Sequence, residues 1–369
     1  MRRARGFSMV ELMIAITLAL VVSAAVLAVF VASRNSFQAT SGTASLADGG
    51  RFALDFIQAS VRSAGYMACN TSQRQLSLLN AGPSPIYYNF IQALGGYEAT
   101  NSAPANAYTV AAAPVTPDGA VGDWKGGLDP ALTGLVVKHN DVLVVYSTLH
   151  NAQSVYVTSI VDGATTFTVN GQGSLSANQL AVISDCAKSV AFWVTGISGA
   201  PPSVTVTHSL GGSPGNSASA LPLSFEIGSQ VAPIDTTVFY IGQGADGDGA
   251  LFEYDLNAGQ NAPAGSFSAN ELVPDIEAMQ VLYGVDTTGT QTVAEYVTAD
   301  QVPVVNPTYG FNAVISVKVA ILAASPPGAA HTPAAGTQYN LLGTVVTAPR
   351  DARARQVFEM TIGVRNLSS

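Results

Sequence analysis

One carboxylate stands at the start of the most apolar stretch of this chain. Glu11 directly precedes residues 12–32, a run of 21 residues without a charged side chain. A carboxylate costs roughly 2.5–3.5 kcal/mol at the centre of a bilayer and less near its surface, so Glu11 needs a group that offsets its charge. If the chain is cut between Gly6 and Phe7, the new α-amine on Phe7 lies four residues before Glu11, which is about one helical turn. The spacing therefore favours an amine–carboxylate pair, within one chain or between neighbouring subunits.

The apolar run is long enough to cross a membrane. A helix of about 20 residues spans the ~30 Å hydrocarbon core of a bilayer. Arg2, Arg3 and Arg5 precede the run, and basic residues favour the cytoplasmic side of a membrane. We therefore expect a single membrane pass, with the N-terminus in the cytoplasm and the rest of the chain on the other side.

The residues around the start of the run resemble a known processing signal. Residues 6–15, GFSMVELMIA, resemble the class III signal of type IV prepilins, with Gly, Phe and Glu at the required spacing directly before the apolar run. The resemblance implies that a prepilin peptidase of the inner membrane cuts after Gly6 and methylates the new N-terminal Phe7. It also implies that Glu11 places the subunit in a growing filament. Residues 1–6 are then a leader peptide.

The N-terminus also admits two simpler interpretations. An ordinary secretory signal peptide would end at a small-residue site such as Ser23-Ala24-Ala25, and a plain membrane anchor would stay uncut. Neither predicts a glutamate that closely follows Gly-Phe. The prepilin signal is therefore the preferred interpretation.

The two cysteines are expected to form a disulfide. If the membrane segment is oriented as above, Cys69 and Cys186 both face an oxidising periplasm, where a disulfide is the default state. Two buried free thiols remain the alternative. A metal site is not expected, because no cluster of His or Cys accompanies either residue.

Composition narrows the function classes. Only 11% of the residues are charged, well below the ~25% of ordinary soluble proteins, and 35 Gly and 19 Pro indicate many turns in a β-rich body. The net charge is -9 and no basic stripe is visible, so we expect no nucleic-acid partner. The chain has no phosphate-binding loop, zinc-protease helix or Cys-x-x-Cys pair, and we expect no cofactor.

Beyond the apolar run, apolar residues recur at near-helical spacing. Residues 7–64 therefore read as one long helix, transmembrane over residues 7–32 and amphipathic afterwards, with Gly65 as its stop. We expect the amphipathic half to pack on a head domain, with Phe52 and Phe56 in the core. Three glycines lie in this half, and each weakens a helix by about 1 kcal/mol, so they are expected to be points of flexibility: Gly42, Gly49 and Gly50.

The remainder, residues 65–369, reads as a large head rich in β-strands. Residues 66–134 show no strong period and are expected to form an irregular insertion. Short apolar, β-branched segments follow at close spacing without βαβ alternation, which favours antiparallel pairing and an α+β class. The predicted strands are 141–147, 154–160, 166–169, 180–183, 189–195, 204–208, 223–227, 237–241, 251–256, 278–285, 313–322 and 357–364.

The head carries a second resemblance. Five blocks resemble PilW-family minor pilins in sequence and in order: residues 64–69, 140–146, 184–186, 271–286 and 358–366. With the signal, the resemblance spans the chain in discrete blocks, whereas residues 70–134 contain no recognisable block. It implies a pilin-like fold, and assembly with other minor and major pilins and with a pilus-tip adhesin.

Two further segments partly fit chemical motifs. The acidic residues Asp246, Asp248, Glu253 and Asp255 partly fit a calcium-binding loop, but the ligand spacing is incomplete, and a hairpin turn explains them adequately. Residues 211–215, GGSPG, formally fit a nucleophile elbow, but the proline after the serine has no N–H for an oxyanion hole. No catalytic residue is therefore assigned.

The sequence thus predicts a structural minor pilin of the PilW type, not an enzyme. It would reside in the inner membrane with its head in the periplasm and then join a type IV pilus. A pseudopilin of a type II secretion system shares the signal and is the first alternative. A secreted hydrolase or binding domain with an ordinary signal peptide is the second.

Overall fold

The computed structural model describes residues 8–69, 75–80, 86, 88–212, 215–255, 268–330 and 336–365. Within these ranges, a 55-residue helix packs by its second half on a head built mainly of antiparallel strands. The predicted α+β class is confirmed.

Strands far outnumber helices along the described part of the chain. The helices are α1 (Met9–Ser63) and α2 (Val302–Val305), and short 3-10 turns cover Val121–Asp123, Pro130–Leu132 and Gly310–Ala313. The strands are β1 (Gln75–Ser77), β2 (Leu79–Asn80), β3 (Leu94–Tyr97), β4 (Ala107–Thr109), β5 (Val142–Thr148), β6 (Val155–Ile160), β7 (Thr166–Val169), β8 (Gln179–Ser184), β9 (Ser189–Val194), β10 (Gly196–Ala200), β11 (Ser203–Thr207), β12 (Gly211–Gly212), β13 (Gly215–Asn216), β14 (Gln230–Gln243), β15 (Gly249–Asp255), β16 (Ser268–Pro274), β17 (Ile276–Val285), β18 (Glu295–Val297), β19 (Val314–Ala324), β20 (Gln338–Leu341), β21 (Thr344–Thr347) and β22 (Arg355–Gly363).

Two sheets organise the head. The first has the antiparallel order β18-β17-β19-β22 and carries the second half of α1 on one face. The second has twelve strands, and its longest member, β14, pairs with β8 and β6 at its start and with β5 and β15 further along. Because β16 runs into β17 through the single residue Asp275, the two sheets are joined by chain as well as by packing.

The second half of α1 is held by one apolar stripe. Its buried residues recur every three or four positions, the spacing of one helical face: Gly42, Leu46, Gly50, Ala53, Leu54, Ile57 and Val61. They share a core with the inner faces of β17, β19 and β22. Full burial of a side chain such as Ile57 contributes about 1.5–3 kcal/mol, so several such residues hold the helix to the head.

Two of the three glycines of α1 are points of close contact with the head, and the flexibility expected of all three stays a prediction. A Cβ at Gly42 would lie 2.4 Å from the Cβ of Ala329, and one at Gly50 would lie 2.3 Å from the ring of Phe358. At Gly49 the nearest atom would be the Val273 Cγ1 at 3.5 Å, an ordinary contact. Gly42 and Gly50 therefore let the helix approach the head more closely than any other residue would.

The end of α1 is fixed as predicted. The helix stops at Ser63, and Gly65 adopts a φ of 73°, a left-handed conformation that glycine takes without a steric penalty. The Gly65 N–H donates to the Tyr146 carbonyl at 2.8 Å, which ties the end of the helix to β5.

Two strand predictions were wrong in instructive ways. Residues 223–227 form no strand, because Phe225 is buried and Leu223 packs beside it, so that the segment covers a core instead of pairing. Strand β14 begins seven residues earlier than predicted and contains Pro233. That proline lies where the strand changes partners from β8 to β5, a position at which a missing N–H is tolerated.

We predict opposite stability effects for two neighbouring glycines of α1. Gly50→Ala forces a methyl group into the Phe358 ring, and overpacking of this kind costs about 1–3 kcal/mol, more than the gain in helix propensity. Gly49→Ala, the matched control, meets no such clash and is expected to stabilise the chain by up to about 1 kcal/mol. Urea unfolding of the full chain in detergent measures both. Equal stabilisation by the two variants would contradict the close packing.

Candidate functional site

Glu11 caps the start of α1. Its Oε2 accepts the Ser8 backbone N–H at 2.9 Å, and the Ser8 Oγ accepts the Val10 N–H at 3.4 Å, so the two side chains form a reciprocal capping box. The carboxylate therefore already points back toward the start of the chain. The predicted cleavage and methylation residues, Gly6 and Phe7, lie outside the described residues.

The first half of α1 is an apolar surface that the head leaves open. No residue from Met9 to Ser41 is buried. This helix is long and apolar enough to cross a membrane. Its large apolar side chains, each at least 51% exposed, are Met9, Val10, Leu12, Met13, Ile14, Ile16, Leu18, Leu20, Val21, Val22, Val26, Leu27, Val29, Phe30, Val31 and Phe37.

Two threonine hydroxyls within this surface bond to the helix itself. The Thr17 hydroxyl donates to the Ile14 carbonyl at 2.9 Å, and the Thr40 hydroxyl donates to the Ser36 carbonyl at 2.9 Å. A hydroxyl bonded in this way can enter an apolar environment without an unpaired donor. The surface is thus suited to lipid or to other helices.

The placement predicted for Phe52 and Phe56 was wrong. Their side chains are 59% and 44% exposed, on the flank of α1 beside the buried stripe. With Leu272, Val273 and Pro274 of β16 they line a groove of about 640 Å³ between the helix and the head. Helical periodicity alone did not separate this flank from the buried stripe, because the two lie less than half a turn apart on the helix.

The two cysteines meet, as expected. Cys69 and Cys186 form a disulfide with Cα atoms 4.7 Å apart and a sequence separation of 117. Cys69 lies six residues beyond the end of α1, and Cys186 lies in the turn between β8 and β9. The bond therefore fastens the end of the helix to the twelve-stranded sheet.

The acidic turn is organised around an arginine. Asp246 and Asp248 lie in the hairpin turn between β14 and β15 and come together with Asp275, with one carboxylate oxygen from each within 4.8 Å of the others. Arg353 pairs with Asp248, Nη1 to Oδ2 at 3.0 Å, and with Asp275. A guanidinium thus already balances two of the three carboxylates.

The four residues considered for calcium are therefore not one group in the described part of the chain. Glu253 lies on β15, away from the turn that holds Asp246 and Asp248, and the side chain of Asp255 lies outside the described residues. The hairpin turn proposed as the simpler explanation of Asp246 and Asp248 is present.

A second arginine binds the last strand to β17. Arg355 is 3% exposed and makes two hydrogen bonds to Glu277, at 2.6 and 2.8 Å, and two to Asp351, at 2.7 and 2.6 Å. Burial disfavours the ionised form of Asp351, but the hydrogen bond and charge of Arg355 outweigh it, so the pKa of Asp351 lies below its ordinary value. Glu277 is nearly as buried as Arg355, which makes each dependent on the other.

A further polar joint links β17 to the start of β5. The Asn140 Oδ1 accepts the Met279 N–H at 2.9 Å, and the Asp141 Oδ2 accepts the Val281 N–H at 2.8 Å. The indole N–H of Trp124 donates to the Asn140 carbonyl at 3.0 Å and covers the joint. Asn140 and Asp141 begin the PilW-like block 140–146. They thus accept hydrogen bonds from the backbone of a second such block, residues 271–286.

Comparison with known proteins matches two parts of the chain. Residues 1–27 match the prokaryotic N-terminal methylation motif, and residues 238–366 match the PilW family, described as Type IV Pilus-assembly protein W. These two matches support a type IV pilin-like protein of the PilW type. The resemblance predicted from the sequence is confirmed, although residues 64–69, 140–146 and 184–186 lie outside the matched ranges.

A solved pilin structure shows only a weak similarity to this chain. A type IV-like pilin from Thermus thermophilus aligns with 53% of this chain and 86% of its own length, at 18% identity and a TM-score of 0.21. A likeness at that score carries no argument about this chain. No curated protein matches the chain.

The ion pairs of Arg353 and Arg355 lie within the range that matches the PilW family. Asp248, Asp275, Glu277, Arg353 and Arg355 all lie within residues 238–366. Sequence reasoning did not select the two arginines. The available signal was indirect: cations are scarce before Arg350, and three arginines then occur within six residues at the start of the last strand, while acidic residues flank the start of β17.

We predict that Arg355→Ala destabilises the head by about 3–5 kcal/mol. The variant leaves Glu277 buried without its partner, the expensive way to break an ion pair. Lys138→Ala is the matched control, because Lys138 pairs with Asp118 and Asp123 on the surface, where solvent screens the charges and little stability is expected from the pairs. Urea unfolding compares the two. A loss for Arg355→Ala no larger than that for Lys138→Ala would show that the buried network does not hold the last strand.

Proposed function

We propose that this chain is a structural minor pilin that takes part in type IV pilus assembly. It is inserted in the inner membrane with its head in the periplasm, cut after Gly6 by prepilin peptidase, methylated on Phe7 and joined to other pilins. The observation that carries the proposal is the unbroken helix α1, which buries its second half on the head and leaves its first half open. The methylation motif at residues 1–27 supports the processing steps.

The open half of α1 fits two successive environments. At 1.5 Å per residue, the uncharged run of residues 12–32 is about 30 Å long, the thickness of a bilayer core. Residues 9–41 extend over about 50 Å, so the open surface continues past the membrane boundary. Lipid covers the run before assembly, and the helices of other pilins cover the whole surface in the filament.

In the assembled filament, Glu11 lies among apolar helices and away from water. Its carboxylate accepts the Ser8 N–H in the described structure, one residue from the position where cleavage creates a new amine. After cleavage, the Phe7 amine of the same chain or of a neighbour offsets the Glu11 charge. A subunit that docks without this pair leaves a carboxylate unpaired among apolar helices, which sets the register.

The Phe52–Phe56 groove is proposed as a second contact with other pilins. At 1.5 Å per residue, Phe52 lies about 30 Å beyond Ala32, too far from the bilayer core for lipid to cover it. The groove is continuous with the open half of α1 on the same helix. Contact between the head and a tip adhesin rests on the PilW resemblance.

A pseudopilin of a type II secretion system is the second candidate. The methylation motif favours it equally, because the motif concerns processing rather than the choice of filament. The PilW match over residues 238–366 favours the pilus.

We predict that Glu11→Ala is processed normally but enters pili at least tenfold less than the unaltered chain. Removal of the carboxylate leaves the Phe7 amine unpaired in the filament core, while the cleavage site is unchanged. Glu295→Ala, which removes an exposed carboxylate of the head, is the control and is expected to assemble normally. Intact mass and N-terminal sequencing of the membrane-extracted chain, with quantification of sheared pili, give both readouts.

The same measurement tests the processing pathway. The proposal expects a mature chain that starts at N-methylated Phe7. A start after Ala25, or an uncut Met1, would contradict it. Normal assembly of Glu11→Ala would leave processing intact and remove the proposed role of the carboxylate.

A further inference from the structure

Two buried carboxyl groups meet where the two sheets of the head join. Glu98 directly follows β3 and is 1% exposed, and Asp141 directly precedes β5 and is 3% exposed. The two side chains interact, and each carboxyl group affects the pKa of the other. The Oε1 of Glu98 has no hydrogen-bond partner among the described residues.

Asp141 is already committed to backbone donors. Its Oδ1 accepts the Ala99 N–H at 3.1 Å and its Oδ2 accepts the Val281 N–H at 2.8 Å. An ionised carboxylate only accepts hydrogen bonds, and each oxygen of Asp141 has an N–H donor. The buried Oε1 of Glu98 has no donor among the described residues, so Glu98 is the group that carries the proton.

The charges around the pair do not neutralise a second carboxylate. Lys125 favours ionisation of Glu98, but it also pairs with Asp300, Nζ to Oδ2 at 3.6 Å, and Asp300 opposes that ionisation. Burial and then the charge of Asp141 raise the pKa of Glu98 to about 9. Burial also raises the pKa of Asp141, against the N–H donors of Val281 and Ala99.

Two phenols complete the surroundings. Tyr108 of β4 and Tyr283 of β17 both lie within the electrostatic reach of Asp141, and Tyr283 also lies within that of Glu98. Burial and then the charge of Asp141 raise the pKa of each phenol above its ordinary value. The phenols therefore stay neutral and supply no positive charge.

We propose that Glu98 and Asp141 form a proton-dependent joint between β5 and β17, closed while they share one proton and loosened when both carboxyl groups ionise. The joint matters for the whole head because Val281 belongs to the sheet that carries α1, whereas β5 belongs to the twelve-stranded sheet. With two ionised carboxylates in contact, repulsion acts directly on the hydrogen bond from Val281.

The pH dependence has a defined sign. In the unfolded chain Glu98 loses its proton near its ordinary pKa of 4.5, whereas the folded chain keeps it to about pH 9. The stability from this group is fully present below about pH 4.5 and is lost progressively up to about pH 9. One proton held only by the folded state makes the folding equilibrium constant fall up to tenfold per pH unit in that window.

The experiment measures urea unfolding of the full chain in detergent at pH 6, 7, 8 and 9, followed by tryptophan fluorescence. Trp124 reports on the joint because it bonds the Asn140 carbonyl. We expect the unaltered chain to lose stability at each step and Glu98→Gln, which keeps a donor toward Asp141 at every pH, to show a much flatter profile. Glu295→Gln, an exposed carboxyl in β18, is the control and should keep the original slope.

A proton count on the unaltered chain keeps the proposal testable if Glu98→Gln fails to fold. Unfolding at pH 8 in weak buffer, followed with a pH indicator, should release close to one proton per chain from this pair. No release, or a Glu98→Gln profile as steep as that of Glu295→Gln, would overturn the proposal. Neither readout involves pilus assembly, so the result is independent of the proposed function.

Discussion

The structure depends on a difference in burial between the two halves of α1. From Gly42 to Val61, α1 buries a stripe against the head, whereas from Met9 to Ser41 it buries nothing. An apolar surface of that length is not stable in water, so it must always be covered by another apolar phase. The described part of the head does not supply that cover, so lipid or other apolar helices must supply it.

The second half of α1 is held to the head by close packing of its backbone. Gly42 and Gly50 bring its backbone against Ala329 and Phe358, while Arg353 and Arg355 hold the start of β22 and the residues just before it to the start of β17. These ion pairs therefore hold in place the strands on which the helix packs. Apolar contact supplies the free energy, and the buried ion pairs fix the position of the strands that make the contact.

The helix, its stop at Gly65, the disulfide and eleven of the 22 described strands could be predicted from the sequence, because each has a local signature. Periodicity did not place Phe52 and Phe56, since residues next to a buried stripe share its spacing and only the shape of the head decides which flank is covered. Arg355 and Glu98 gave no local signal, because charged residues are usually exposed and their burial depends on partners distant in sequence. The strand predicted for residues 223–227 was wrong because an apolar segment can cover a core without pairing with another strand.

The disulfide also determines how the molecule responds to mechanical load. A pull along α1 reaches Cys69 six residues after the helix ends and passes through a covalent bond to Cys186. The residues between the two cysteines stand outside this load path. Fully extended at about 3.4 Å per residue, the 117-residue separation would amount to roughly 400 Å of contour length. The bond keeps that length from being drawn out, so the chain between the two cysteines cannot lengthen under tension.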